Sequence, residues 1–156
     1  MDVRIVTGII VLIAVLLAAA LIGWLFRKFL WSRRRKSDIF EDMEGHEFEY
    51  FCADLLEQRG FTEVEVTRGS GDYGIDILAE KEGVTYAIQC KCYAAAVGVK
   101  AIQEAYAGRD YYDRMVGAVM TNQYFTAPAV EAARKLKILL WDGGYVERMM
   151  EETDCQ

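Results

Sequence analysis

No charged residue stands between Ile5 and Phe26, and a chain carrying such a run has few environments in which to place it. At about 1.5 Å per helical residue the run would reach roughly 33 Å, enough to cross the hydrocarbon core of a bilayer. It is therefore expected to form a transmembrane helix. Ala18, Ala19 and Ala20 imitate the cleavage site of a secretory signal, but the apolar core of such a signal is usually only about 7–15 residues long. The flanks also favour a retained anchor. Arg4 alone precedes the run, whereas Arg27, Lys28, Arg33, Arg34, Arg35 and Lys36 follow it. By the positive-inside rule this asymmetry keeps the C-terminal part in the cytoplasm, giving a single-pass membrane protein. Trp24 and Trp31 fit an interfacial belt, and the basic cluster reads as a topology determinant that touches anionic lipid. Residues 1–28 are accordingly read as the anchor, and 29–43 as a basic juxtamembrane segment running into an acidic linker.

Charge divides sharply along the chain. The first 36 residues hold 7 of the 18 basic residues and one of the 24 acidic ones, which leaves 11 against 23 and a net charge of about −12 on the remainder. That sign is unfavourable for broad electrostatic attraction to nucleic acid, so any such binding must rely on local cations. Cys52, Cys90, Cys92 and Cys155 would face a reducing compartment under this topology and need form no disulfide framework. A zinc site is not expected either, because His46 is the single histidine and one residue separates Cys90 from Cys92.

The rest of the chain reads as one α/β domain without internal repeats. Phe48, Phe51, Cys52, Leu55 and Leu56 recur at helical spacing, predicting a helix over Gly45–Arg59 that stops at Gly60. Strands are predicted at Val64–Thr67, Ile75–Ala79 and Val84–Cys92, with Glu80 to Gly83 as a four-residue turn. A helix over Val99–Asp113 and a strand at Val116–Thr121 follow. Thr126 is expected to cap a helix with Pro128 in its first turn, reaching Lys137 before a strand at Ile138–Trp141. The element order is αβββαβαβ, and residues 149–156 are read as an acidic tail.

Chemistry concentrates on the second and third strands. With a four-residue turn, Ala79 would pair with Val84 and Asp76 would lie opposite Ala87, a diagonal neighbour of Gln89 at about 7–8 Å. Residues two apart share a strand face, so Asp76, Gln89 and Lys91 would project together while Ile75, Ile77, Ile88 and Cys90 point into the core. A carboxylate and an amide oxygen are hard ligands of the kind Mg²⁺ prefers, and a neighbouring ammonium can orient water or neutralise developing charge. An acid and a lysine on adjacent strands also make ordinary surface ion pairs. The apolar surroundings here, with Asp76 between two isoleucines, argue against that reading.

The stretches GHEFEYFCADLLEQRGF, TRGSGDYGIDIL, YAIQCKCY and VGVKAIQEAYAG, in this order, resemble the catalytic domain of Mrr-like restriction endonucleases of the PD-(D/E)xK nuclease superfamily. The resemblance covers about residues 44–143 and sets the endonuclease domain at 44–148. It implies a restriction-endonuclease-like fold, a central mixed sheet flanked by helices. It also implies a metal-dependent DNA endonuclease that uses Mg²⁺, or Mn²⁺ in its place. Carried over to this sequence, the helical acid is Glu49, the metal-binding aspartate Asp76, and the QxK element Gln89 and Lys91. Asp76 and Gln89 would be the metal ligands, and Asp72 matches an acid assigned to holding the loop.

The commoner glutamate of the superfamily is Gln89 here, which removes one negative charge from the metal site. The winged-helix reader of some members is not expected here, so sequence specificity is expected to be low, borrowed from a partner or carried by loops. Lys100 and Arg68 are the candidate phosphate contacts, and Tyr93, Tyr106, Tyr111 and Tyr112 could stack on bases or pack. Gly69, Gly71 and Gly74 precede a strand instead of opening a helix, which argues against a dinucleotide fingerprint. His46 could assist at the site from the first helix, but it reads more simply as an exposed helix-start residue. The expected partners are DNA and the membrane, and the sequence leaves a homodimer open. Against the nuclease stands a non-cleaving module of the same fold that recruits DNA or a defence complex to the membrane, with an RNase as a third reading.

Overall fold

Apolar residues that alternate or run together in short segments build one five-stranded sheet. The computed structural model describes residues 15–24, 40, 43–67 and 73–153, and the chain divides into two units, residues 1–39 and 40–156. In the first unit residues 15–24 are helical (α1). Among the described residues no helix is long and apolar enough to cross a membrane. The anchor expected over residues 5–26 and its basic flank lie largely outside those residues.

The second unit runs α2 (Gly45–Gln58), β1 (Thr62–Val66), β2 (Ile77–Lys81), β3 (Val84–Lys91), α3 (Val99–Tyr111), β4 (Val116–Thr121), α4 (Ala127–Leu136), β5 (Ile138–Trp141) and α5 (Gly143–Thr153). The strands lie in sequence order. Strands β1, β2 and β3 pair antiparallel, while β4 pairs parallel with both β3 and β5. This is the mixed, helix-flanked sheet expected from the sequence. Parallel neighbours need a crossover helix, and α3 and α4 supply the two.

Both faces of the sheet are covered. On one, Phe48, Leu56, Ile77, Ile88, Met120 and Val146 pack together, joining α2 and α5 to the strands. On the other, Ile102, Ala105, Val119, Ala129 and Ile138 seat α3 and α4. Cys90 and Ile75 are both buried, as expected, but on different faces: Cys90 packs on the α2 side, whereas Ile75 packs with Leu78 and Ala87 on the other, because residue 75 lies outside β2 and escapes its strict alternation.

Three further expectations are corrected. The β2–β3 hairpin turns on two residues, Glu82 and Gly83, with φ of 52° and 78°, since Lys81 pairs with Val84 and Ile77 with Ile88. Positive φ at both central residues is the geometry that matches the right-handed twist of flanking strands. The register is therefore two residues from the expected one, and an even shift leaves each side chain of β3 on its expected face. Second, the linker contributes to the core: Phe40 is buried and its ring meets Phe48 and Phe51 edge-on. Third, the element order gains α5, whose Val146 and Met149 are buried, so the packed structure continues past residue 148 into the stretch read as an acidic tail.

Glycine allows one especially close approach. A Cβ on Gly108 of α3 would stand 2.3 Å from Ile75 Cγ1 and 3.0 Å from the Tyr73 carbonyl oxygen. Replacing glycine by alanine within a helix ordinarily stabilises by about 0.5–1 kcal/mol. Here Gly108→Ala is expected to destabilise by about 1–3 kcal/mol through overpacking, read as a lower midpoint in denaturant melts; an unchanged or raised midpoint would show that α3 and residues 73–75 are not clasped.

Candidate active site

Asp76 sits where the chain enters β2. Its backbone N–H donates to the Ile88 carbonyl at 2.9 Å and its carbonyl accepts from the Thr67 N–H at 2.9 Å. Continuing the β2–β3 register places Asp76 directly opposite Gln89 rather than diagonal to it. Its carboxylate turns onto β3, where Oδ2 accepts the Cys90 N–H at 2.6 Å and contacts Gln89 Nε2. Asp76 is 9% and Gln89 2% exposed. A buried carboxylate is costly unless its oxygens are hydrogen-bonded, and β3 supplies that compensation.

The other end of the Gln89 amide is different. Gln89 Oε1 is buried and has no hydrogen-bond partner among the described residues. It faces Gly74, where a Cβ would come within 3.1 Å of it and 2.9 Å of Glu104 Cβ. Gly74 has φ of 77°, so this position disfavours a side chain on both conformational and steric grounds.

Lys91 leaves β3 two residues after Gln89, on the same face. Its Nζ lies 3.3 Å from Glu104 Oε2 on α3, and the exposed Lys100 Nζ lies 3.6 Å from Glu104 Oε1. The loop between β3 and α3 is fixed from beyond β4. Asn122 accepts the Tyr93 N–H and donates to the Tyr93 carbonyl, each at 3.0 Å. Val97 also exchanges backbone bonds with Tyr124 and Thr126.

The structure thus brings Asp76 and Gln89 into contact, with Lys91 adjoining, and adds Glu104, which the sequence reading passed over. Its available signal was the i,i+4 spacing from Lys100 on the helix after the QxK strand. Glu49 lies on α2, across the sheet from α3, and its carboxylate meets His46 Nδ1 at 2.8 Å. Arg68 and Asp72 lie outside the described residues. No cluster of three His, Cys, Asp or Glu side chains forms among the described residues, so a cation here would rely on Asp76 and the Gln89 amide oxygen. Gln89 presents Nε2 to Asp76 in this structure; with the amide turned over, its unpartnered Oε1 would stand beside the carboxylate, and such a pair of oxygens fits an ion whose preferred ligands are oxygens.

Tyr73 and Tyr111 stack at 3.6 Å between ring centroids and both are exposed. Arg109 lies over the Tyr106 ring at 4.8 Å.

Residues 40–150 match the family profile Mrr_cat, described as restriction endonuclease. No curated protein matches the chain. Among solved structures, the crystal structure of a protein of unknown function, AF1548, superposes with a TM-score of 0.61 at 24% identity, over 71% of this chain and 67% of that one. The DNA modification-dependent restriction endonuclease AspBHI gives 0.55 at 19% identity, over 69% of this chain and 31% of its own. MspJI restriction endonuclease in complex with a 27-mer oligonucleotide gives 0.55 at 17%, over 74% and 30%. The chain therefore spans about a third of the length of the two restriction endonucleases. At these identities the likeness establishes a shared fold.

A side-chain hydrogen bond with Cys52 that favours the protonated thiol, together with burial, pushes Cys90 well above its ordinary value of 9.0, and the charges of Asp76 and Glu49 add to the effect. Burial likewise raises Cys92. Above about pH 9 the unfolded chain releases protons that the native thiols keep, so stability falls as pH rises. Denaturant melts at about pH 8 and about pH 10 should show that loss, and Cys90→Ala should lessen it. An equal loss in parent and variant would contradict this origin.

Proposed function

Because the chain belongs to the restriction endonuclease family of the Mrr_cat profile, we propose that it is a metal-dependent DNA endonuclease in which Asp76, Gln89 and Lys91 carry the chemistry. One observation carries the reading: a buried carboxylate touches a buried amide whose oxygen has no partner among the described residues, two positions before a lysine on the same strand face. Asp76 and Gln89 would hold a Mg²⁺ or Mn²⁺ ion. When bound, such an ion supplies Lewis acidity at the scissile phosphate and makes water a better nucleophile near neutral pH.

The protein's own groups prepare that chemistry. The Cys90 N–H fixes the Asp76 carboxylate at 2.6 Å, so its orientation is set before any substrate arrives. Lys91 offers N–H donors to the attacking water or a phosphate oxygen, stabilising the negative charge that develops as the P–O bond breaks. Lys100, 89% exposed at its side chain, would meet a phosphate and bring local positive charge to an acidic domain. Glu49, whose charge reaches Cys90, is assigned a subsidiary electrostatic role. DNA as the substrate is supported by the DNA modification-dependent activity in the name of AspBHI and the oligonucleotide in the MspJI complex.

The acidic balance beyond residue 36 favours a second reading, a nuclease-fold module that binds or recruits DNA without cutting it. Calorimetric metal titration and plasmid nicking separate the two. Asp76→Ala is expected to weaken metal binding at least about tenfold and to abolish cleavage. Lys91→Ala should bind metal as the parent does while cleaving about 10²–10³-fold more slowly. Gln89→Glu should tighten metal binding and retain turnover. A parent that cuts no nucleic acid with either metal would hand the site to the recruitment reading.

The uncharged run over residues 5–26 and the basic residues that follow it support attachment of this domain to the cytoplasmic face of a membrane. A reporter active only in the cytoplasm, fused after Gln156, should then be active in the membrane fraction; activity of a reporter that works only outside the cytoplasm would reverse the orientation.

A further inference from the structure

Glu104 stands between two ammonium groups, and each carboxylate oxygen faces one of them. Lys91 lies 3.3 Å from Oε2 and Lys100 3.6 Å from Oε1. The two lysines differ in setting: the Lys91 side chain is 21% exposed and that of Lys100 is 89% exposed. An exposed i,i+4 pair on a helix contributes little to stability, so Glu104–Lys100 alone gives no strong structural reason for a glutamate here. Glu104–Lys91 joins α3 to the strand that carries Gln89, and it is the less exposed pair.

The backbone around Glu104 is fixed by two close approaches. A Cβ at Gly74 would meet Glu104 Cβ at 2.9 Å and Cγ at 3.3 Å, and one at Gly108 would meet Ile75 Cγ1 at 2.3 Å. The stem of Glu104 therefore rests on the same residue, Gly74, that borders Gln89 Oε1. A lysine side chain is a flexible four-carbon stem ending in a point charge, and it acts in a defined place only when something holds it.

We infer that Glu104 is a positioning residue that holds the Lys91 ammonium beside the Asp76–Gln89 pair through their ion pair, leaving the remaining N–H donors of Lys91 for substrate. The catalytic consequence rests on the nuclease reading given above; the placement of Lys91 does not. Lys100, on the opposite oxygen, is the more exposed partner and can turn to a phosphate while Lys91 stays held.

The test uses the full chain and Glu104→Gln, which keeps the stem against Gly74 and removes the charge. Trace acetylation with acetic anhydride, followed site by site by mass spectrometry, reports how firmly each lysine is held. Lys135, which pairs with Glu131 at 2.8 Å, is the internal reference. In the variant Lys91 should acetylate at least about threefold faster relative to Lys135, while the melting temperature stays within about 3 °C of the parent's. With saturating Mg²⁺ and plasmid DNA, kcat should fall about tenfold or more while KM and metal affinity change by less than about twofold. Adding Lys91→Ala to Glu104→Gln should then cost less than Lys91→Ala costs the parent, the non-additivity of groups that act as one.

Unchanged acetylation of Lys91 overturns the inference whatever cleavage does. Faster acetylation with unchanged kcat overturns the catalytic role of the placement. A parent without metal-dependent cleavage refutes the nuclease reading instead, and the acetylation ratio alone then decides whether Glu104 holds Lys91.

Discussion

The bond from the Cys90 N–H to the Asp76 carboxylate, at 2.6 Å, is the constraint around which the site is arranged. A buried carboxylate costs several kcal/mol if left unsatisfied, and it is satisfied here by the strand that carries the other two candidate residues. The bond is made just before β2 begins, where the Asp76 backbone is itself bonded to Ile88 and Thr67. The amide of Gln89 is then drawn in beside the carboxylate. One hydrogen bond thus ties the approach to β2 onto β3 and holds the carboxylate against the Gln89 amide.

Helix α3 closes this arrangement. Gly74 and Gly108 remove the side chains that would hold it away from residues 73–76, and Asn122 ties the loop before it to the end of β4. The helix therefore delivers Lys100 and Glu104 to the end of β3, where Lys91 emerges. In a domain whose charge is predominantly acidic, this places two ammonium groups around one carboxylate beside the buried pair. The cations are local, which is the form that phosphate recognition must take when the wider surface repels a polyanion.

Much of this was legible in the sequence for physical reasons. Strand period and helix period identify the elements, and a face assignment survives any register error that is even. The hairpin illustrates the limit: Glu82 adopts positive φ, a conformation its residue type does not advertise, so the turn reads as four residues and Asp76 moves from diagonal to directly opposite Gln89. Val146 and Met149 carry a helical spacing in a stretch dominated by acids, and α5 was hidden by that charge. Phe40 lies in a polar segment and becomes core only because Phe48 and Phe51 receive it. Glu104 was unreadable for a related reason. A glutamate on a helix face is ordinarily solvated, and only the tertiary approach of Lys91 gives it a role.

The central claim is that Asp76 and the Gln89 amide oxygen share a divalent cation. Anomalous diffraction from crystals of the domain soaked in Mn²⁺ tests it most directly, because the ion is located independently of any activity. The account requires a Mn²⁺ peak bonded to a carboxylate oxygen of Asp76 and to Gln89 Oε1, absent in Asp76→Ala crystals. Crystals saturated with Mn²⁺ that bind the ion elsewhere, with the Gln89 amide still turned as it is here, would contradict it.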